Sequence, residues 1–124
     1  SKRQIGELRM PSGQGPYPLA VIWHGGCWAG MGGTANVAEL ARFLQRHGVA
    51  VLPLSYRELG SGGGWPGTFA DWAQGLALVD YLDGGYELDL DRVTLIGHSA
   101  GVTPAMWLAT RNKGEPAAGT RLPK

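Results

Sequence analysis

The sequence predicts an α/β fold, a mostly parallel sheet with helices on both faces. Apolar runs at 19–23, 49–54 and 93–96 have the length of strands. Between them lie stretches whose apolar residues recur at helical spacing, and strands alternating with helices are the mark of a parallel sheet. The runs are apolar at successive positions, as strands are when helices cover both of their faces.

Taken in order, Ile5 to Met10 is a weakly marked strand, and Pro11 to Pro18 a Gly/Pro loop. Leu19 to Trp23 is the first well-marked strand. From Thr34, the residues Val37, Leu40, Ala41 and Leu44 fall at i, i+3, i+4 and i+7, one face of a helix that stops before Gly48 as its C-terminal cap. Val49 to Leu54 is the next strand. The chain to Pro66 is Gly-rich and reads as a mobile loop. Thr68-x-x-Asp71 has the pattern of a capping box with Asp in place of Glu, and Phe69, Trp72, Ala73, Leu76 and Val79 form the buried stripe of the helix it opens. Asp89 and Asp91 read as solvated residues of a loop before the strand Val93 to Ile96. The stretch Met106-Trp107-Leu108-Ala109 is helix-like, and beyond Arg111 the chain is polar and Gly/Pro-containing, a disordered tail. One domain over 1–111 and a tail over 112–124 follow from this.

The composition, 44% hydrophobic and 17% charged with net charge +1, describes a soluble globular domain and offers no electrostatic case for nucleic acid or a membrane. The 21 glycines fall in loops such as Gly60-Ser61-Gly62-Gly63-Gly64 rather than at a fixed period, so they mark turns. A single cysteine excludes an internal disulfide and carries no sign of secretion. No apolar run approaches membrane-spanning length, and the first residues read as a strand rather than a signal peptide, which points to the cytoplasm.

Two motifs carry chemistry. Gly97-His98-Ser99-Ala100-Gly101 is a G-x-S-x-G pentapeptide set between a strand and a helix. A serine on so sharp a turn is pushed into the open, and glycines two residues to either side are needed because a Cβ there would collide with neighbouring backbone. Ser99 is therefore the candidate nucleophile. Upstream, the strand Leu19 to Trp23 runs straight into His24-Gly25-Gly26-Cys27-Trp28. Acyl transfer builds negative charge on a carbonyl oxygen, and N–H groups fixed in a glycine-rich loop can meet that charge without reorganising. Gly26 and Cys27 are the candidate donors from this loop, and Ala100, at the start of its helix, is the third. His24 is expected to brace the loop through its ring N–H, with Gly25 beside it. Cys27 reads as a small hydrophobe whose backbone N–H matters more than its thiol. Trp28 either walls an acyl pocket or packs under the loop.

With both motifs in view, the chain resembles the α/β-hydrolase superfamily, and within it the esterase and kynurenine-formamidase-like group whose oxyanion loop reads H-G-G-x-W. The likeness extends through Leu54-Ser55-Tyr56-Arg57, through Gly63-Gly64-Trp65-Pro66-Gly67-Thr68-Phe69-Ala70-Asp71 and through Leu88-Asp89-Leu90-Asp91-Arg92-Val93, about residues 4 to 111. The resemblance implies a serine hydrolase of carboxylic esters or small amides, working through a Ser–Asp/Glu–His triad with no cofactor and no metal. Val102 and Pro104 depart from the small residues that usually continue such an elbow.

The superfamily orders its triad along the chain as serine, acid, histidine. The 25 residues after Ser99 contain no histidine and one carboxylate, Glu115. All three histidines precede the serine: His24 in the loop, His47 ending a surface helix and His98 in the elbow, turned away from Ser99. The expectation is the front half of a hydrolase, since the resemblance implies a catalytic domain about twice as long as this one. Acid and base would then come from beyond Lys124. The alternative is a non-catalytic fragment or interaction module. In the front half alone the elbow strand is an open edge that invites a second copy or a complementing chain. Arg57 and Asp71 are expected to pair, and Trp23, Trp72 and Trp107 to lie on buried faces.

Overall fold

The computed structural model describes residues 6–82 and 85–111. The tail expected over 112–124 lies outside the described residues. Three parallel strands, β1 (Tyr17–Trp23), β2 (Ala50–Leu54) and β3 (Leu88–Gly97), form one sheet in the order β2-β1-β3. A 3-10 turn over Thr34–Val37 leads into helix α1 (Ala38–Arg46), and helices α2 (Gly67–Tyr81) and α3 (Val102–Ala109) follow β2 and β3.

The two faces of β1 explain the continuous apolar run. Leu19, Val21 and Trp23 point to one side and pack with Leu52, Leu54, Trp72, Leu76, Val79 and Leu108, the side of α2 and α3. Ala20 and Ile22 point to the other and pack with Val51, Val37 and Ala41, the side of α1. Successive strand residues face opposite ways, so a central strand under helices on both sides has no position left for a polar residue. Leu40, the outermost member of the α1 stripe, stays exposed. Gly48 ends the helix at φ +81°, a conformation that costs glycine nothing, and Val49 N–H returns to the Leu44 carbonyl at 3.1 Å.

Several expectations need correction. The segment before Pro11 is not a strand: Gly6 and Arg9 make isolated antiparallel bridges to Leu54 and Val51. Arg9 exchanges both its hydrogen bonds with Val51, at 2.8 and 2.9 Å, and Pro11, lacking an N–H, cannot extend the pairing. Strand β1 starts at Tyr17, inside the expected loop, because Tyr17 N–H donates to the Glu87 carbonyl at 2.8 Å. Asp89 and Asp91 lie within β3 rather than in a loop before it. The register jumps from Pro18 opposite Asp89 to Leu19 opposite Val93, which leaves Leu90, Asp91 and Arg92 as a bulge. Leu90 turns inward and is buried, while Arg92 Nε closes on Asp89 Oδ2 at 2.6 Å and holds that carboxyl below its ordinary pKa.

The capping box is also absent. Helix α2 begins at Gly67 with no side-chain cap, and Thr68 lies in its first turn. Thr68 Oγ1 donates to the Arg57 carbonyl and accepts the Gly64 N–H at 2.8 Å. Asp71 accepts the Arg57 backbone N–H at 2.8 Å, Nε at 2.9 Å and an Nη at 2.7 Å, the expected ion pair, with its carboxylate fully buried. Both side chains thus tie α2 to the segment after β2. A guanidinium fork with a backbone N–H is a better partner for a carboxylate than a helix end.

That segment begins with Ser55 and Tyr56. The Tyr56 ring is buried, meets Trp72 edge-on at 5.8 Å, stacks on His24 at 4.5 Å, and its hydroxyl donates to the His24 carbonyl at 2.8 Å. Burial first, and the nearby Glu58 carboxylate second, push the phenol from 10.0 up to about 12. The folded chain therefore keeps a proton that the unfolded chain releases near pH 10. Stability from this group is full below pH 10 and drains away between pH 10 and about 12. Tyr56→Phe is expected to lose about 0.5–1.5 kcal/mol at neutral pH with the hydrogen bond, and to flatten the alkaline decline. Denaturant titrations across that pH range check this; equal slopes in both proteins would contradict it.

Candidate active site

The elbow is built by backbone contact. From Gly97 the chain passes through His98, in extended conformation, to Ser99, which has a left-handed φ of +51° and opens a 3-10 turn over Ser99–Gly101 that runs into α3. Left-handed backbone at a residue with a Cβ costs of order 1–3 kcal/mol and persists only where the surroundings impose it. They do so here through glycines. A Cβ on Gly97 would strike the Gly101 carbonyl, and a Cβ on Gly101 would strike the carbonyl of Trp23, the last residue of β1. His98 N–H donates to that same Trp23 carbonyl at 3.1 Å, and Gly101 N–H to the His98 carbonyl at 2.9 Å. Ser99 and His98 are exposed, while Ala100 is buried beneath them. Pro104 falls in the first turn of α3 and is buried.

The second motif lies against the first. A Cβ on Gly25 would come within 2.9 Å of Ser99 Cβ and 3.0 Å of His98 Nδ1, so the loop after β1 and the elbow after β3 touch at a residue without a side chain. Adjacent parallel strands deliver both to the same end of the sheet. His24 is buried below: its Nδ1–H donates to the Gly25 carbonyl at 2.7 Å, as a brace of the loop should, and its ring rests on Tyr56. Gly26 has φ +125°, and Ala29 N–H closes a turn on its carbonyl at 3.0 Å. Among the described hydrogen bonds none uses the N–H of Gly26 or Cys27. Ala100 occupies the first turn of its helix, where N–H groups have no partner in a preceding turn.

Cys27 does not pack as a small hydrophobe. It has φ +52° and its side chain is exposed. Trp28 follows at φ +57° and is 38% exposed; its carbonyl accepts the Leu59 N–H at 2.6 Å. Its ring walls a cavity of about 230 Å3, together with Leu59, Trp65, Phe69, Trp72 and Thr103. Of these, Thr103 lies in the first turn of α3, four residues beyond Ser99. Trp23 and Trp72 are buried as expected, Trp107 partly so.

No histidine or carboxylate hydrogen-bonds Ser99 among the described residues. His24 is committed to Gly25, and His47 caps α1 with its Nδ1–H on the Phe43 carbonyl at 2.8 Å. No group of three His, Cys, Asp or Glu side chains able to hold a metal ion occurs among the described residues. Sequence reasoning missed Tyr56 as the support of His24, and it missed Leu59, Trp65, Phe69 and Thr103 as neighbours of Trp28. Thr103 was within reach, being at i+4 from Ser99; the pairing of Tyr56 with His24 spans 32 residues and has no local signal.

Gly101→Ala forces the Trp23 carbonyl and the elbow apart. It is expected to lower the melting midpoint and to relax Ser99 from its left-handed φ, which a crystal structure of the variant checks; an unchanged elbow would contradict the backbone account.

Comparison with known proteins adds the family. The BD-FAE family model matches residues 7–119. Among curated proteins the sequence has no match. The structure is similar to a thermophilic esterase of the planctomycete Thermogutta terrifontis with propionate bound, at TM-score 0.77 and 18% identity over 89% of this chain and 42% of that one. It is also similar to a hyperthermophilic esterase of the archaeon Pyrobaculum calidifontis (TM-score 0.76, 22% identity, 91% of this chain and 36% of that one) and to a bacterial heroin esterase (TM-score 0.73, 26% identity, 83% and 32%). The chain thus spans less than half the length of these solved relatives. Its parallel sheet is part of the α/β-hydrolase fold that they carry, and the chain belongs to the BD-FAE family.

Proposed function

We propose that this chain carries the nucleophile and the oxyanion donors of a serine hydrolase acting on carboxylic esters or small amides. The observation that carries the reading is Ser99 at φ +51° on a strand-to-helix turn, pressed against Gly25 of the preceding loop. Ser99 Oγ attacks the substrate carbonyl carbon. The carbonyl π pair moves onto oxygen, and the N–H groups of Gly26, Cys27 and Ala100 meet the charge that develops there. The base that takes the Ser99 proton hands it to the leaving alcohol or amine as the carbonyl re-forms; it then takes a proton from the water that attacks the acyl carbon and returns it to Ser99 Oγ as the acid is released. The H-G-G-C-W loop at 24–28 supports placing the chain near the esterase and kynurenine-formamidase-like enzymes. No cofactor enters these steps. The proton from Ser99 goes to a histidine held by an acid, a pair that the described residues do not place beside Ser99.

No helix among the described residues is long and apolar enough to cross a membrane. The single cysteine, exposed and free, fits a reducing cytoplasm. Strand β3 pairs with β1 alone among the described residues, and its other edge is where a strand from the rest of the protein, or from a second copy, pairs.

In the protein that supplies the base, a fluorophosphonate probe is expected to label Ser99 and Ser99→Ala to abolish labelling. Labelling that persists in the variant and maps to Cys27 would overturn the assignment. Failure to label in any context would favour the second reading, a hydrolase-like module without chemistry, whose support is the lack of a base beside Ser99 among the described residues. Residues 1–124 alone, without a base, should turn over p-nitrophenyl acetate only slightly, since oxyanion donors and binding leave about 10³- to 10⁴-fold over water in a triad enzyme stripped of its members. A bell-shaped pH profile at full esterase rates would show that an upstream histidine serves as base. In sedimentation this chain alone should run as a dimer or larger species; a cooperatively melting monomer would mean that β3 needs no further strand.

A further inference from the structure

Beside the cavity that Trp28 walls lies a second one of about 260 Å3, bounded by Pro66, Ala70 and Trp107. The two share Trp65 and Phe69, so these rings are the partition between them. The halves of the partition are held very differently. Phe69 stands on α2 and is pinned by Trp72 at 4.6 Å and by Trp107, edge-on, at 5.1 Å. Trp65 meets Phe69 edge-on at 5.0 Å, its one ring contact among the described residues, and is 79% exposed. It stands in the loop before α2, next to Gly64 at φ +93°. An exposed indole on a glycine-flanked loop contributes little to the core, yet here it forms one wall of an apolar cleft that Trp28 and Thr103 also line.

We propose that Trp65 is the specificity-determining wall of this site. Resting on the reading of Ser99 as nucleophile, Trp65 sets the size of the apolar group that can lie in the first cavity while its carbonyl meets Ser99. A cavity of about 150 Å3 lined by apolar side chains takes benzene. A cleft of about 230 Å3 holds a single ring with a few further atoms, or a short chain of similar bulk, between its walls, whereas a fused bicycle has to extend past Trp65. Without the Trp65 indole, Phe69 alone stands between the two cavities, and the larger group gains room on that side.

The test is calorimetric binding of two neutral ketones, acetophenone and 2-acetonaphthone, to the full chain, which reads the cavity without needing turnover. The unaltered protein is expected to prefer acetophenone by about tenfold or more, in the range that one misfit group costs in an apolar pocket. Trp65→Ala should abolish or reverse that preference, Trp65→Phe should fall between, and Thr103→Trp, which fills the cavity from the helix side, should weaken both ligands. Because Trp65 is exposed, its variants are expected to melt with the parent, and Thr103→Trp tests the same cavity from a separate position. No binding by the parent, or a preference that Trp65→Ala leaves untouched, overturns the proposal. Trp65-dependent preference in a protein whose Ser99 is never labelled would keep the wall and sink the nucleophile; labelling of Ser99 with no Trp65 dependence would do the reverse.

Discussion

The rest of the structure depends on one close approach, that of Gly101 to the carbonyl of Trp23. With no Cβ at position 101, the first turn of the elbow helix sits directly on the end of β1. With none at Gly97 the turn can fold back on itself, and with none at Gly25 the next loop can lie against Ser99. Three glycines from two distant stretches of sequence thus let two strand ends share one small volume. Backbone, not side chain, fills it, and Ser99 is left at the surface with Gly25 against it.

Strain at Ser99, Cys27 and Trp28, all at left-handed φ, has to be held by something stiffer than the turns themselves. The stiff parts are β1, buried on both faces, and the column beneath the loop, in which Trp72 supports Tyr56 and Tyr56 supports His24. Tyr56 does two jobs in that column: its ring carries the imidazole and its hydroxyl fixes the His24 carbonyl. One residue further, Arg57 locks onto Asp71 of α2, where the carboxylate pushes the guanidinium pKa higher still. The segment after β2 is therefore clamped to α2 at the same end of the sheet as the elbow. It then leads into the loop whose Leu59 N–H donates to the Trp28 carbonyl and whose Trp65 lines the same cavity.

How much of this was legible depended on how local the cause was. The apolar centres of β1, β2 and β3 and the α1 and α2 stripes follow from neighbouring residues and lie where expected, as do the Gly48 cap and the serine turn, while the strand ends and the segment before Pro11 do not. Thr68 and Asp71 misled because the i, i+3 spacing of a capping box is also the spacing that lets both side chains reach one partner, Arg57, which spacing alone cannot reveal. Asp89 and Asp91 read as loop because charged residues rarely belong in a parallel strand; the bulge opposite Pro18 and Leu19 is what accommodates them. Cys27 was judged by its residue type, whereas its φ of +52° decided its exposure. The partition of the cavities by Trp65 and Phe69 had no signature, since it arises only when α2, α3 and two loops are assembled.

The central claim is that this end of the sheet is preorganised for charge on a carbonyl oxygen attached at Ser99. A crystal structure of the protein phosphonylated at Ser99 tests it most directly, because the phosphoryl oxygen stands in for that oxyanion. The account predicts this oxygen at about 2.7–3.1 Å from the N–H groups of Ala100 and of Gly26 or Cys27, with Ser99 still at its left-handed φ and the 24–28 loop unmoved. A phosphoryl oxygen turned to solvent, or a loop that must rearrange to reach it, would contradict the account.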